Sequence, residues 1–389
     1  MKKIIFITPQ PLNERNLNRF HLLLFVKNGW KVNYWNVQNI FYQNEFHNLY
    51  AEYKIPKINN LKFTNIASLF REIFFTENSF YVDFLDNSFL SFILRKILYF
   101  KNNKRILIDS ANYPAHDIRN LNLKLLLKKL KFFFFIKSIK ILILIITRKI
   151  MLKFLNTNIF IHLVSGKLSR IRSEKLYGKG LQLKSHSFDY NIYLQNISKK
   201  KYLDKIVFID QDWPLPFELA IRGGKKFVTL DNYWKSLNLF FDYLENKFNK
   251  EVIIARHPRA NKNINISDKK ILYNFTDQLI KNSFLNITHT SNAIQFALLY
   301  KKPLLIISTN ELEQNQDTAA YSDILALSKS LNKNILNIDR FSEPQLLKEM
   351  NVNDQIYDEY INNYIKESGS KNLNTFFYLR NYLNSNSNT

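Results

Sequence analysis

Cysteine is absent from the sequence, which excludes disulfides, a thiolate nucleophile and zinc held by cysteine. The seven histidines are scattered and show no His-x-x-x-His metal spacing. Glycine is scarce as well, at 7 of 389 residues. The Gly-rich turn that seats a dinucleotide pyrophosphate is missing after the first apolar run, which argues against NAD or FAD there. No apolar run reaches the roughly 20 residues of a spanning helix. The nearest, 132–146, is broken by Lys137 and Lys140. The N-terminal apolar stretch is too short for a signal-peptide core, so the expectation is a cytoplasmic protein. Acidic residues are outnumbered, 32 against 56 Lys and Arg, for a formal net charge of +24. Such a balance points to an anionic partner, whether nucleic acid, an acidic membrane face or an anionic substrate. The richness in Lys, Asn, Ile and Phe also fits an AT-rich coding sequence. There is no RNP motif, zinc-finger spacing or helix-turn-helix signal, and the lysines are spread over the whole chain. Nucleic-acid binding is therefore kept only as an alternative resting on charge, and no nucleic-acid partner is expected.

What is present suffices for real cores: 46% of residues are hydrophobic and 15% aromatic. The length suits two domains. Residues 3–8 read as a strand. Leu17, Phe20, His21, Leu24 and Phe25 then fall at helical spacing, Gly29 ends that helix, and residues 31–37 read as a second strand. This is the opening of a doubly wound sheet. Further strands are predicted at 80–85, 105–109 and 159–164. The polar loop after Asp109, with His116 and Asp117, offers bases or acceptor ligands, or simply turn residues and a helix cap. A polar stretch at 197–201 marks a domain junction. Beyond it, strand and helix alternate from 205 to 307, a second doubly wound unit, with terminal helices at 357–365 and 373–383.

Two strand-to-loop junctions in the second half carry most of the chemistry. In one, the apolar run from Glu251 ends in Arg256-His257-Pro258-Arg259. In the other, the run from Phe284 ends in Thr288-His289-Thr290-Ser291-Asn292. A buried parallel strand that stops abruptly in polar residues delivers them to the carboxyl edge of its sheet, where α/β proteins bind ligands. Thr290 or Ser291 is placed to cap a helix starting near Asn292. Either it only caps, or the open helix start serves as an anion site. Asp210, Asp212 and Glu218 crowd the loop after the 205–210 strand, as acid/base candidates, as hydroxyl ligands, or as ion-pair partners of nearby lysines.

A His-Pro pair after a strand, followed some thirty residues on by a Thr-Ser pair opening a helix, resembles the donor site of bacterial sialyltransferases and polysialyltransferases. The phrases Ser185-His186-Ser187-Phe188-Asp189-Tyr190-Asn191 and Phe208-Ile209-Asp210-Gln211-Asp212-Trp213-Pro214 are also similar to surface-polysaccharide transferases. The likeness covers roughly 185–310. It implies a GT-B fold, two Rossmann-like α/β domains facing a cleft. The implied units are an acceptor domain at 1–198, a donor domain at 199–365, and a terminal helix crossing back with a polar tail at 366–389. It also implies a metal-independent transferase with no cofactor, whose substrate is a CMP-linked sugar such as a nonulosonate. The acceptor would be a cell-surface glycan or glycolipid. A UDP- or GDP-linked donor is the alternative, and a GT-B-fold sugar epimerase is a third reading. His257, Pro258 and Arg259, with His289, Thr290, Ser291 and Asn292, would hold the donor. The Asp/Glu-Asp/Glu-Gly triplet that supplies the base in several sialyltransferase families is missing. The base therefore falls to Asp210 or Asp212, with Asp109 behind them.

Residues 121–154 stand apart, with Lys124, Lys128, Lys129, Lys131, Lys137, Lys140, Arg148, Lys149 and Lys153 set among Leu, Ile and Phe. A basic helix with a wide apolar face suits an anionic membrane surface. The same pattern also suits a buried helix pair with lysines reaching solvent.

Overall fold

The computed structural model describes residues 1–41, 53–86, 88–109, 113–114, 157–196, 204–214, 228–257, 260, 266–316 and 318–386. Within them the chain builds two parallel sheets. The first contains β1 (Lys3–Thr8), β2 (Lys31–Asn36), β3 (Ile58–Lys62), β4 (Phe80–Asp83), β5 (Lys104–Ile108), β6 (Ile159–Val164) and β7 (Gly180–Lys184), in the order β3-β2-β1-β4-β5-β6-β7. The second contains β8 (Lys205–Ile209), β9 (Val252–Arg256), β10 (Lys270–Tyr273), β11 (Ser283–Thr288), β12 (Leu304–Ser308) and β13 (Leu336–Asn337), in the order β10-β9-β8-β11-β12-β13. In each sheet the first strand is the third in the order, and the strand order reverses beside it, between β1 and β4 and between β8 and β11. Such switch points open crevices at the carboxyl edge.

The strands are continuous apolar runs because both faces are covered. In β1, Ile4 and Phe6 join a core with Leu22 and Phe25, while Ile5 and Ile7 point to the opposite layer with Leu69, Ile73, Leu94 and Leu98. In the second unit the Leu230–Phe248 helix buries Leu237, Phe240, Phe241 and Leu244 against β8 and β9. The three strands absent from the sequence reading of the first 300 residues, β3, β7 and β10, are edge or near-edge strands with mixed sequences such as INNLK and GLQLK. They are only partly buried, so no long apolar run betrays them.

The chain end ties the two units together. The Asp354–Tyr360 helix passes into a wider π-helical turn, Ile361–Ile365. That turn lies so close to Gly166 that any Cβ there would collide with the Asn363 carbonyl. The final helix, Thr375–Ser385, sets Phe376, Leu379 and Leu383 into the first core beside Phe6 and Phe20.

Candidate active-site cleft

Because β9, β8 and β11 are neighbours, the loops after them converge at one end of the second sheet. Asp210–Trp213 follow β8, His257 follows β9, and His289–Asn292 follow β11. The structure thus brings together the sequence-predicted residues Asp210, Asp212, His257, His289, Thr290, Ser291 and Asn292. Pro258 and Arg259 lie outside the described residues, as do Glu218, His116, Asp117, the 197–201 junction and the whole 121–154 stretch.

At the floor sits a buried charge cluster. Arg256 donates from Nη1 to Asp210 Oδ2 and from Nη2 to Asp212 Oδ1, both at 2.7 Å. The Asp212 amide donates to Asp210 Oδ1 at 2.9 Å, and the His257 amide also bonds the Asp210 carboxylate. Asp210 therefore has both oxygens engaged. Asp212 adopts a left-handed backbone, φ 56°, an uncommon conformation for a residue with a side chain and one that clusters at functional sites. Two carboxylates share one guanidinium. Burial, the largest effect, pushes the Asp212 carboxyl up to about 7; the Asp210 charge adds to this and Arg256 opposes it. Burial also raises the Asp210 carboxyl.

His289 takes a different place from the ligand-facing one expected. Its ring is fully buried, stacked at 4.6 Å under Trp213 and flanked by Tyr233 at 5.5 Å. Nδ1 donates to the Ile307 carbonyl at 2.8 Å, which leaves Nε2 as a buried acceptor without a partner. Burial lowers its pKa to about 4, so the imidazole is neutral near pH 7 and supports Trp213 from below. Thr290 is clamped by Gln211, whose Oε1 accepts from the Thr290 amide and whose Nε2 donates to Thr290 Oγ1, each at 3.0 Å. The helix after this turn begins at Ile294, two residues later than the sequence suggested. Ser291 Oγ accepts the Ala293 amide at 3.2 Å while remaining half-buried, and Asn292 is exposed. Gln295 is buried, and its Oε1 accepts from Ser187 Oγ at 2.5 Å across the two units.

The carboxyl edge of the first sheet supplies the facing side. A cavity of about 230 Å³ is lined by Thr8, Gln10, Arg19, Phe20, Phe84 and Phe188, with the Arg19 guanidinium 4.7 Å over the Phe188 ring. Next to it, burial raises the Asp189 carboxyl against the pull of Arg19 and Arg15. Asp109 accepts from Ser173 Oγ at 2.6 Å and lies 3.1 Å from His162 Nε2, with its other oxygen buried and unpartnered. The phrase from Ser185 to Asn191 proves to be a joint between the units. Ser187 Oγ donates to Gln295 and the Ser187 amide to the Ile365 carbonyl of the second unit, while Ser185, His186 and Asn191 hold the returning chain end at Thr375 and Leu373.

A larger cavity, about 560 Å³, lies away from these loops, lined in part by Lys329, Lys333, Lys348 and Glu349. The Lys333 ammonium there is engaged by the Glu349 and Asn351 carbonyls. Among the described residues no cluster of three or more His, Asp or Glu has the makings of a metal site.

Sequence reasoning missed Arg256, Gln211 and Tyr233. The one available signal for Arg256 was a charged residue closing an otherwise apolar strand, opposite two acids closing another.

No protein-family model and no curated protein matches the chain. Among solved structures, the wall teichoic acid polymerase TagF, as an H444N variant with CDPG, superposes with a TM-score of 0.53 at 12% identity. The match covers 99% of this chain and 88% of TagF. The MnaA–UDP structure from S. aureus gives a TM-score of 0.50 at 11% identity, covering 100% of this chain and 97% of the other. These likenesses fix the architecture: the protein has the GT-B fold, two parallel-sheet α/β units meeting at a cleft.

Proposed function

We propose that the protein is a glycosyltransferase that takes a nucleotide-activated sugar at the carboxyl edge of the second sheet and transfers the sugar to a surface glycan or glycolipid. The observation carrying this reading is the convergence of three loops on one crevice at the β8/β11 switch point, faced by the Arg19–Phe188 cavity of the first sheet. On this reading residues 1–198 take the acceptor, 199–365 the donor, and 366–389 return to the first unit. The His257 side and the Thr290–Ser291 turn receive the donor's phosphate, where charge develops as the glycosidic bond breaks. Fixed donors at that point lower the barrier. Asp212 is the proposed base. Burial pushes its carboxyl up to about 7, whereas both Asp210 oxygens are engaged.

TagF with CDPG and MnaA with UDP make a UDP- or CDP-linked donor as well supported as a CMP-linked nonulosonate. The lysines of 121–154 are proposed to contact an anionic membrane near the acceptor. The test is a thermal-shift screen of the whole chain with CMP, CDP, UDP and GDP in EDTA, followed by turnover on the donor it selects. One nucleotide should stabilise selectively. His257→Ala should then lower turnover at least about tenfold while leaving the melting temperature in place. Wild-type turnover in that variant would remove His257 from the site.

A further inference from the structure

Two helices of the first unit carry a surface that the cleft chemistry does not use. Helices Ile66–Phe74 and Phe89–Phe100 precede β4 and β5, and both bury their inner residues, Leu69, Ile73, Leu94 and Leu98, in the same layer of the first sheet. They pack on each other and run from the cleft edge to the far edge. Their outer faces are apolar. Phe74, Phe75 and Phe100 are 60%, 74% and 71% exposed, and Ile66, Phe89 and Tyr99 are exposed too. Isolated exposed apolar residues are ordinary, but a contiguous set on one face marks an interaction site. Cations are set among these rings. The Lys101 ammonium lies 4.4 Å over Phe74, linking the two helix ends, and Lys96 lies 5.3 Å from Phe100 and 5.8 Å from Tyr99. Arg71 is exposed on the first of the helices, and Glu77 pairs with Lys101 at 2.9 Å.

We propose that this aromatic and basic face docks on an anionic phospholipid surface, with the phenyl rings in the interfacial layer and the lysines at the headgroups. Aromatic rings favour that layer and cations its negative potential. The chain's net charge of +24 draws it to such a surface and opposes pairing of this face with a second copy of itself. No helix among the described residues is long and apolar enough to span a membrane, so the contact is one of lying on the bilayer. Exposed apolar residues stand at both ends of these helices, Ile66 and Phe89 at the cleft edge and Phe74, Phe75 and Phe100 at the other. Docking therefore sets the first unit side-on, with its cleft opening along the bilayer plane. The proposal is independent of the transferase reading and of the 121–154 contact.

The experiment is flotation of the full-length protein with vesicles of phosphatidylcholine alone and of phosphatidylcholine with phosphatidylglycerol. Three proteins are compared: wild type, Phe74→Ser/Phe75→Ser/Phe100→Ser, and Lys128→Glu/Lys129→Glu/Lys131→Glu. Wild type should float only with the anionic vesicles. The triple phenylalanine variant should lose at least about tenfold in partitioning, since each exposed ring adds apolar area to the bound state, with an unchanged melting temperature. In a separate protein, Phe74→Trp should give a blue-shifted emission on anionic vesicles, which reads this position without depending on the triple variant. Three outcomes would overturn the proposal: no wild-type binding, an emission that stays at its aqueous wavelength while the protein is vesicle-bound, or loss of binding only in the lysine variant. A dimer dispersed by the phenylalanine substitutions, with no vesicle binding, would assign the face to a second copy instead.

Discussion

At the residue scale, the second-sheet crevice is organised by charges and rings that water does not reach. Among the described residues Arg256 is the buried cation that bridges Asp210 and Asp212, so its removal leaves two carboxylates confined without that compensation. Arg256→Leu should cost about 3–5 kcal/mol in urea denaturation. Adding Asp210→Asn and Asp212→Asn to it should recover part of that loss, because the charges left behind then disappear. A cost that persists in the triple variant would mean that packing on Trp234, 5.4 Å from the guanidinium, dominates.

His289 makes a second prediction, with a definite sign. Its folded pKa of about 4 lies below the usual 6.5, so between those values the unfolded chain binds the extra proton. Stability falls as pH drops from 6.5 toward 4, by up to roughly 3 kcal/mol for this gap at about 1.4 kcal/mol per pH unit. Thermal melts of His289→Phe across that range should show a flatter profile than wild type; parallel profiles would contradict the buried neutral ring. The polar identity of these positions was legible in the sequence. Their division into a buried support, His289, and more accessible groups, His257, Ser291 and Asn292, was not, because burial depends on Trp213 and Tyr233 arriving from other elements.

At the element scale, long apolar strands announced themselves. β1 and β6 match the sequence-derived ranges, and β8, β9, β11 and β12 fall within one residue of theirs at each end. The sequence also marked both crevice junctions, since each depends on a buried run ending in polar residues. It overextended the helix after β11. Residues 291–296 instead turn tightly, with Ile294, Gln295 and Phe296 amides bonding carbonyls three residues back. The resulting helix, Ile294–Leu299, is short, so Ser291 contributes a local hydroxyl more than a long helix's field. If that hydroxyl also meets the donor, Ser291→Ala should weaken nucleotide binding about tenfold, the loss of a hydrogen bond to a charged group. Its cost in stability should stay at or below about 1 kcal/mol. Calorimetry and melting on the same preparation separate the two, and a lowered stability with unchanged affinity would leave Ser291 as a turn residue alone.

At the scale of the whole molecule, the Ser185–Asn191 joint and the returning Thr375–Ser385 helix hold the two sheets so that their carboxyl edges face one another. Sequence alone outlined two doubly wound halves, but the joint is built from residues more than a hundred positions apart, Ser187 with Gln295 and Ser187 with Ile365. Periodicity carries no trace of such pairs. The proposed division of labour between donor and acceptor sides is open to one direct measurement. Nucleotide affinity by calorimetry in EDTA should be compared for wild type, His257→Ala and Arg19→Ala, using CMP, CDP, UDP and GDP. At least one nucleotide should bind without metal, His257→Ala should weaken it about tenfold or more, and Arg19→Ala should leave it within about twofold, as expected of an acceptor-side residue. Binding lost with Arg19→Ala but kept with His257→Ala, or no nucleotide binding at all, would contradict this division of labour.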